Sequence, residues 1–540
     1  MAFLRKEKKN SVTYLRIVQS YRDEDGKARH RTLYNLGKAE DYTPEALKKI
    51  GKALYELGGG TLEELESKML HELGRFNYGF PLIVKQLMNV FALDRFLNGI
   101  TRNKDLGFSM AQSIALLISE RFNDPVSKLS NYKNQLDYIG IAEIELHQIY
   151  RTLDYLFDNQ EKIKMLIYSK GRNLFNQKLD LVFYDVTTFY FESSKEDGFR
   201  EKGFGKDGKI GNTIITFGML IDKNKQPVGY EVYRGRQYEG HTFSEALARL
   251  KTKYQIDRVI CVADTGMMNE DNVEEVKQAD YEYIFGERLK NISRSKQNEI
   301  IDLKKYKVLG VIDQKTGLSI PIKYYTTEYN DKRLIATYSE KRARKDKAER
   351  DEKIAKAIAF INNPEPLNKK AKYHYLKKEG KDAYSLDTEK IKRSEMFDGF
   401  FCIATNNTDL SEEIILDAYK QLYKIEHTFR TFKSFLETRP MFHWTERRIL
   451  GHLSLCYISF ALLNHLQLKL QNAGTPQTEA TIRENLVRMQ LSLVTQNNHE
   501  YYLRSKTTPG GKEILKALSI NTLPDLVPKQ SITKYLPLIE

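Results

Sequence analysis

A change in hydrophobic period near residue 179 limits the folds open to this chain. Before it, from about residue 43, apolar residues recur at three- and four-residue spacing, which predicts amphipathic helices. After it come three runs rich in β-branched and aromatic residues, separated by glycine and charged residues: LDLVFYDVTTFYFES, NTIITFGMLID and QPVGYEVYRGR. Such runs predict three consecutive antiparallel strands.

The next elements alternate between helix and strand. HTFSEALARLKTKY begins with a capping box, Thr242 with Glu245, and predicts a helix. RVICVAD then predicts a strand, NEDNVEEVKQA a helix and YEYIFGE another strand. The order is therefore βββαβαβ followed by a helix, and buried parallel strands are expected in its second half. The predicted fold class is α/β, with a mixed sheet.

Further changes of pattern divide the chain into segments. DEDGK, with its Asp-Gly pair, predicts an N-terminal β-hairpin, and residues 290–395 interrupt the α/β alternation with short strands and a charged helix. We predict six segments: a hairpin region (1–42), a helical DNA-binding domain (43–178), the first part of the α/β core (179–289), an inserted β-rich and basic subdomain (290–395), the second part of the core (396–475), and a C-terminal region that serves dimerisation (476–540). Packing or dimerisation is an equally good role for the helical domain.

Charge indicates the kind of partner. The chain has 86 Lys plus Arg against 72 Asp plus Glu, a net charge of +14, which favours a polyanion such as nucleic acid over a small metabolite. Residues 341–395 alone contain 17 basic and 10 acidic residues, a local excess of +7. A DNA-contacting arm and a merely solvated helix face are both consistent with that excess.

Nothing in the sequence predicts export or membrane insertion. The three cysteines lie far apart and suggest neither a disulfide framework nor a zinc ribbon. The most apolar run, 449–466, contains two histidines and an asparagine, so we predict a buried helix rather than a membrane span. A cytoplasmic protein without a membrane partner is expected.

Three acidic residues occupy positions that suggest a metal site. Asp185 lies inside an apolar strand, Asp264 ends the strand VICVAD, and Glu426 lies on a helix predicted to cover the sheet. Each has an ordinary alternative: Asp185 can pair with an arginine, Asp264 can cap the following helix, and Glu426 can be a surface charge. Together they supply the hard oxygen ligands that two Mg²⁺ ions need, so metal-assisted phosphodiester chemistry is the best interpretation.

The segment 418–440 is predicted to be a single helix. Its apolar residues bury one face: Ala418, Leu422, Ile425, Phe429, Phe432 and Leu436. Tyr419, Glu426 and Lys433, seven apart, form a second line beside that face. If Glu426 holds a metal at a scissile phosphate, Tyr419 and Lys433 can contact neighbouring phosphates. Arg430, about 40° round the helix from Glu426, can add another contact.

These residues resemble the DDE transposases of bacterial insertion sequences, of the insertion-sequence family four type. That family has the pattern Tyr, two residues, Arg, three residues, Glu, six residues, Lys; here the four positions are Tyr419, Leu422, Glu426 and Lys433. Leucine replaces the family's arginine, and Arg430 is the candidate substitute. DVTTFYFES around Asp185 and VADTGMMNEDNVEEV around Asp264 are similar to the family's first and second acidic motifs.

The resemblance implies a ribonuclease H-like catalytic core, interrupted by a β-rich insertion between the second and third acids. It implies two Mg²⁺ or Mn²⁺ ions per active site, held by Asp185, Asp264 and Glu426. It implies DNA contacts by Tyr419, Arg430 and Lys433, and a homodimer that synapses two terminal inverted repeats. In that family water cuts the DNA to leave a 3′-hydroxyl, which then attacks target DNA.

Alternatives to a cut-and-paste transposase remain. A ribonuclease H-like nuclease would cut without joining, and a non-catalytic relative would only bind DNA. Some family members flip a base with a tryptophan of the insertion, but Trp444, the only tryptophan here, follows the third acid, so that feature does not transfer. Tyr324 and Tyr325 of the insertion are candidates for stacking on a base, although a core role is favoured for either.

Overall fold

A computed structural model describes most of the chain: residues 2–61, 70–102, 106–175, 181–203, 211–235, 260–265, 270–278, 280–312, 319–362, 374–379, 384–439, 441–496 and 499–536. The chain divides into two compact units. The first contains 1–75, 491–504 and 524–532, and the second contains 76–490, 505–523 and 533–540.

The first unit opens with a three-stranded antiparallel sheet. Its strands are β1 Ala2–Lys9, β2 Val12–Arg22 and β3 Ala28–Lys38, paired in chain order. The predicted hairpin of β2 and β3 is confirmed. Its turn places Gly26 at φ 76°, a backbone conformation that glycine adopts without steric cost. β1 was not predicted, because its three apolar residues are followed by five charged ones, without the alternation that is typical of a strand.

Helix α1, Pro44–Leu57, begins where TPEALKKIG predicts, with the Thr43 hydroxyl accepting a hydrogen bond from the Ala46 amide at 3.2 Å. The second predicted start, TLEELESKM, lies largely outside the described residues. The predicted helical run is interrupted by β4, His71–Asn77. This strand joins a four-stranded sheet of order β19-β18-β17-β4, with β17 Gln490–Gln496, β18 His499–Arg504 and β19 Leu526–Pro528.

The second unit starts with helices, as the 3.6-residue period predicts. They are α2 Gly79–Val90, α3 Leu93–Thr101, α4 Met110–Asn123, α5 Lys128–Asn134, α6 Leu146–Asp158 and α7 Gln160–Phe175. Asn159 separates the last two, and its side-chain amide donates to the Tyr155 carbonyl at 3.0 Å. This local bond competes with the helical ladder, so the long apolar pattern of 149–175 is divided between two helices.

A ten-stranded sheet follows. Its strands are β5 Leu181–Tyr190, β6 Glu201–Lys202, β7 Thr213–Asp222, β8 Pro227–Arg234, β9 Ile260–Ala263, β10 Glu282–Glu287, β11 Lys307–Ile312, β12 Ser319–Tyr329, β13 Lys332–Tyr338 and β16 Phe400–Thr405. The order is β11-β12-β13-β16-β10-β9-β5-β7-β6, with β8 paired to β7. The predicted antiparallel meander β5-β7-β8 is confirmed, and so are the parallel pairs of β9 with β5 and β10.

The helices predicted beside these strands are described in part. NEDNVEEVKQA forms α8, Glu270–Gln278, whereas the helix predicted at HTFSEALARLKTKY lies outside the described residues. The α/β class with a large mixed sheet is therefore confirmed.

The inserted segment extends this sheet with β11, β12 and β13 and also contains a separate two-stranded sheet. β13 pairs with β16 along its whole length and buries Leu334, Ile335 and Ala336 between its neighbours. The predicted charged helix is α10, Glu340–Asn362. The other inserted elements are α9 Arg294–Ile300, β14 Leu376–Lys378, β15 Tyr384–Leu386 and α11 Thr388–Glu395.

The prediction of one helix over 418–440 is wrong. The segment contains the end of α12, Glu412–Lys420, then α13, Tyr423–Arg430, and a π-helical turn, Thr431–Phe435. The hydroxyls of Thr428 and Thr431 donate to carbonyls one turn back, which weakens the regular ladder. The Leu436 amide then bonds to the Thr431 carbonyl, five residues back, at 2.9 Å. Apolar periodicity missed these breaks because it does not register changes in backbone hydrogen bonding.

Helix α14, Glu446–Asn472, is buried inside the second unit, as predicted for 449–466. It is long and apolar enough to cross a membrane, but 94% of its most apolar window is buried within the protein, as in a core helix. It packs on the sheet and on the π-helical turn, with Tyr457 against Tyr230 and Phe460 against Phe432. Two short helices complete the unit: α15 Glu479–Val487 and α16 Pro509–Ala517.

Candidate active site

The three predicted acids line one cavity of about 1310 Å³. Asp185 comes from β5, Asp264 directly follows β9, and Glu426 lies on α13. The second and third acids are 162 positions apart in the sequence. Folding therefore brings together carboxylates that the chain keeps far apart.

The register of two parallel strands places the first two acids side by side. Phe183 of β5 pairs with Val262 of β9; Asp185 lies two residues further along β5, and Asp264 two residues further along the chain, directly after β9. Neighbouring strands are about 4.8 Å apart and side chains alternate between faces, so continuing this register would bring both acids to the same face. Asp185 is half-buried and accepts a hydrogen bond from the Val186 amide at 2.7 Å, whereas Asp264 is exposed.

Glu426 faces the cavity because α13 buries the residues around it. Ile425 and Phe429 are buried, and the Phe429 ring lies 6.4 Å from the ring of Phe217 on β7. Glu426 is left exposed on the flank of the helix. The apolar face thus fixes the rotation of α13, and that rotation aims the third acid at the sheet's acidic edge.

Tyr419 lies between the second and third acids. Burial raises the pKa of the Tyr419 hydroxyl above its usual range, and the carboxylates of Asp264 and Glu426 raise it further, while Arg342 opposes the shift. The hydroxyl is consequently protonated at neutral pH and can donate a hydrogen bond. The Tyr419 hydroxyl packs against Gly286 of β10. A Cβ atom added at Gly286 would lie only 2.5 Å from the tyrosine oxygen, so the absence of a side chain there makes room for Tyr419.

The donor chemistry of the site fits a hard divalent cation. Three carboxylates on an open cavity leave coordination positions for water and for phosphate oxygens. Within the described parts of the chain, no group of three or more His, Cys, Asp or Glu side chains is arranged so that it could hold a metal ion. The three carboxylates therefore share a cavity, but their side chains are not gathered around one point in this structure.

The other predicted DNA-binding residues are placed differently. Tyr419 lines the cavity, but Arg430, which is exposed, and Lys433, which is half-buried, are not among its described lining residues. Leu422 does line it and is half-buried, so it is less buried than its place in the predicted apolar stripe suggests. The break between α12 and α13 explains this, because it displaces residue 422 from the face that a continuous helix would bury.

Sequence reasoning missed a group of cations that line the same cavity. We call Lys323, Lys341, Arg342 and Lys345 the cation wall, and Asp185, Asp264 and Glu426 with Tyr419 the acid wall. The cation wall comes from β12 and the first turns of α10, where Glu340, Asp346 and Glu349 also line the cavity. The local charge excess of 341–395 was the available signal, but charge alone does not show which surface a helix faces.

The aromatic residues considered for base stacking lie elsewhere. Trp444 is 65% exposed and contacts the Arg200 guanidinium, 5.3 Å from its ring centre. The Tyr325 hydroxyl donates to Glu299 at 2.8 Å within the inserted segment. Trp444, Tyr324 and Tyr325 are not among the described residues that line the cavity.

Comparison with known proteins identifies the family. A family model described as the transposase DDE domain matches residues 176–461. The match covers more than half of the sequence, and the chain therefore belongs to the DDE transposases. A second model, the N-terminal domain of IS1634 family transposases, matches residues 4–64. The protein is thus an insertion-sequence transposase, as the sequence resemblance implies.

More distant comparisons add little. No curated protein matches the sequence. A cryo-EM structure of the piggyBac transposase synaptic complex with hairpin DNA aligns over 86% of each chain, with 9% identity and a TM-score of 0.39. That similarity is too low to define a shared fold.

Proposed function

We propose that this transposase works by a cut-and-paste route, with Asp185, Asp264 and Glu426 as the ligands of two Mg²⁺ or Mn²⁺ ions. The observation that carries the proposal is the convergence of these three acids on one cavity. A ribonuclease H-like core is part of the proposal. It is supported by the strand order β8-β7-β5-β9-β10, in which an antiparallel meander is followed by two parallel strands.

When bound, divalent ions would polarise the scissile phosphate and lower the pKa of the attacking water or 3′-hydroxyl. The chain's own residues position the DNA. Tyr419 donates a hydrogen bond to a phosphate oxygen beside the metal ligands, and the cation wall balances the negative charge of the strand in the cavity. Arg430 and Lys433 contact the DNA backbone beyond the cavity.

Duplex DNA is the proposed partner, both as terminal inverted repeats and as target. The net charge of +14 supports this, since phosphate neutralisation dominates DNA affinity. We propose that residues 43–178 contribute to end binding, that residues 476–540 contribute to dimerisation, and that a homodimer synapses two ends. A bacterial cytoplasm, with the protein associated with the nucleoid when bound to DNA, is the proposed location.

The test is Mg²⁺-dependent cleavage and strand transfer of labelled duplexes that carry the element's own ends. Asp185→Asn, Asp264→Asn and Glu426→Gln should each lower the cleavage rate at least roughly 100-fold, because each removes a ligand charge while DNA binding is retained. Glu413→Gln is the matched control, since Glu413 is exposed on α12 outside the cavity lining.

Three outcomes would change the proposal. Full activity in any of the acid variants removes that residue from the site. Cleavage without joining in the unmodified protein identifies a nuclease instead of a transposase. End binding without any Mg²⁺-dependent nicking identifies a non-catalytic relative.

A further inference from the structure

Arg342 occupies a distinctive place between the two walls of the cavity. It is the only arginine among the described residues that line the cavity. Its guanidinium carbon lies 4.6 Å from the centre of the Phe401 ring, and the Phe401 ring lies 5.0 Å from the ring of Tyr419. Arg342, Phe401 and Tyr419 thus form a stack that runs from the inserted helix to the acid wall.

The stack also separates the cavity from a second one of about 510 Å³. Arg342, Phe401, Tyr419 and Asp264 line both cavities. A cation at this boundary lies beside the path of any strand that reaches Asp264 and Glu426.

The helix that carries Arg342 is anchored independently of any ligand. Asp346 accepts a hydrogen bond from the Gly399 amide at 3.0 Å, and the buried Arg350 forms an ion pair with Asp398. Gly399 has φ +84°, and a Cβ atom there would lie 2.9 Å from Ala343. The turn before β16 therefore packs tightly against the start of α10, and the backbone that carries Arg342 is fixed in the absence of DNA.

The charge of Arg342 is only weakly neutralised within the protein. Among the described residues it forms an ion pair with Asp346, at 3.7 Å, and the two side chains are 47% and 31% exposed. Such a contact contributes little because solvent screens it. A guanidinium stacked on an aromatic ring keeps its edge N–H groups for in-plane hydrogen bonds to a phosphate.

We propose that Arg342 binds a DNA phosphate next to the scissile one, as a guanidinium presented by the Phe401–Tyr419 stack. This inference rests on the proposed function of the acid wall. It assigns to the inserted segment a direct role in the active site. It also gives the cavity an arginine next to the acid wall, although leucine stands at position 422, where the family pattern has arginine.

The test compares Arg342→Ala, Arg342→Gln and Arg342→Lys with Arg344→Ala in the full-length protein. Arg344 is the matched control, because it is an exposed arginine on the same helix outside the cavity lining. Cleavage of a duplex carrying the element's own end, and binding of that duplex across several salt concentrations, would be measured. Thermal unfolding would confirm that each variant is folded.

Removing the guanidinium should slow cleavage roughly tenfold, the loss expected for one charge-assisted contact, whereas Arg344→Ala should stay within about twofold. Arg342→Lys should recover part of the rate, because it keeps the charge but loses the planar fork. The slope of log binding affinity against log salt concentration should become less steep in Arg342→Ala and Arg342→Gln, by about the amount expected for one lost phosphate contact.

Equal rates and salt slopes in the Arg342 and Arg344 variants would overturn the proposal. That result leaves the acid wall untouched, since the assignment of Asp185, Asp264 and Glu426 is tested by their own variants. Conversely, a fully active Asp264→Asn protein would remove Asp264 from the site whatever Arg342 does.

Discussion

The two walls of the cavity are built in opposite ways. The acid wall stands on buried strands: all ten residues of β7 are buried, and seven of the ten in β5. The cation wall stands mainly on α10, where Arg350, Ala357 and Phe360 are the buried residues of a 23-residue helix. Packing on both sides fixes the strands beside the acids, whereas most side chains of α10 are exposed to solvent.

This contrast predicts which substitutions damage the site through the scaffold. In the acid wall a small change in a buried neighbour should displace a functional group, because a close-packed core transmits the change. In the cation wall the same change should act through charge alone.

The largest effect is expected from Gly286→Ala. Its Cβ atom would lie 2.5 Å from both the Tyr419 hydroxyl and the Thr265 methyl carbon, so the tyrosine must move. A displacement of about 1 Å can cost roughly 100-fold in rate, and we expect a loss of that order in DNA cleavage. The measurement is the cleavage rate, with thermal unfolding measured alongside.

A double variant shows whether the loss passes through Tyr419. If it does, Gly286→Ala combined with Tyr419→Phe should be no slower than Tyr419→Phe alone, since the crowded oxygen is gone. If the double variant instead shows the combined rate losses of the two single variants, the effect of Gly286→Ala does not pass through Tyr419.

A smaller effect, on stability, is expected where helix α4 holds the segment after α13. The buried Arg121 donates to the carbonyls of Leu436 at 2.8 Å and Glu437 at 3.3 Å. Arg121→Met leaves those carbonyls without their charged donor and should cost about 2–3 kcal/mol in the free energy of unfolding. Denaturant unfolding measures it. Arg344→Met on the exposed helix should change stability by less than about 0.5 kcal/mol, and equal values would erase the contrast between the walls.

The smallest effect at neutral pH is expected from a histidine in the scaffold behind the acid wall, whose contribution to stability changes only as pH falls. Burial, with a contribution from Lys469, lowers the pKa of His465 on α14 to about 4. Between that pH and the usual histidine pKa of about 6.5 the unfolded chain binds a proton that the folded protein does not. Stability from this group is therefore present above about pH 6.5 and is lost as pH falls toward 4.

His465→Gln should reduce the slope of the free energy of unfolding against pH between pH 6.5 and 4. The reduction should correspond to at most about one fewer proton taken up on unfolding. Denaturant unfolding at several pH values measures this slope. An unchanged slope would show that His465 does not contribute to acid sensitivity.

Much of the acid wall could be predicted from the sequence. Asp185 and Asp264 stand out because a carboxylate within or at the end of an apolar strand requires a reason, and the Tyr419, Glu426 and Lys433 spacing matched a family pattern. The cation wall could not be predicted, because lysines and arginines on a charged helix look alike until packing selects which face the cavity. Arg342 and Arg344 differ by two positions, and only the first lines the cavity.

The sequence by itself determined most of the helices and strands and pointed to three acidic residues, because periodicity and residue type are local properties. Tertiary structure decided the rest. It extended the sheet into the inserted segment, broke the predicted 418–440 helix into α12, α13 and a π-helical turn, and moved Leu422 to the cavity. These outcomes depend on strand pairing and packing between distant segments, which no local pattern encodes.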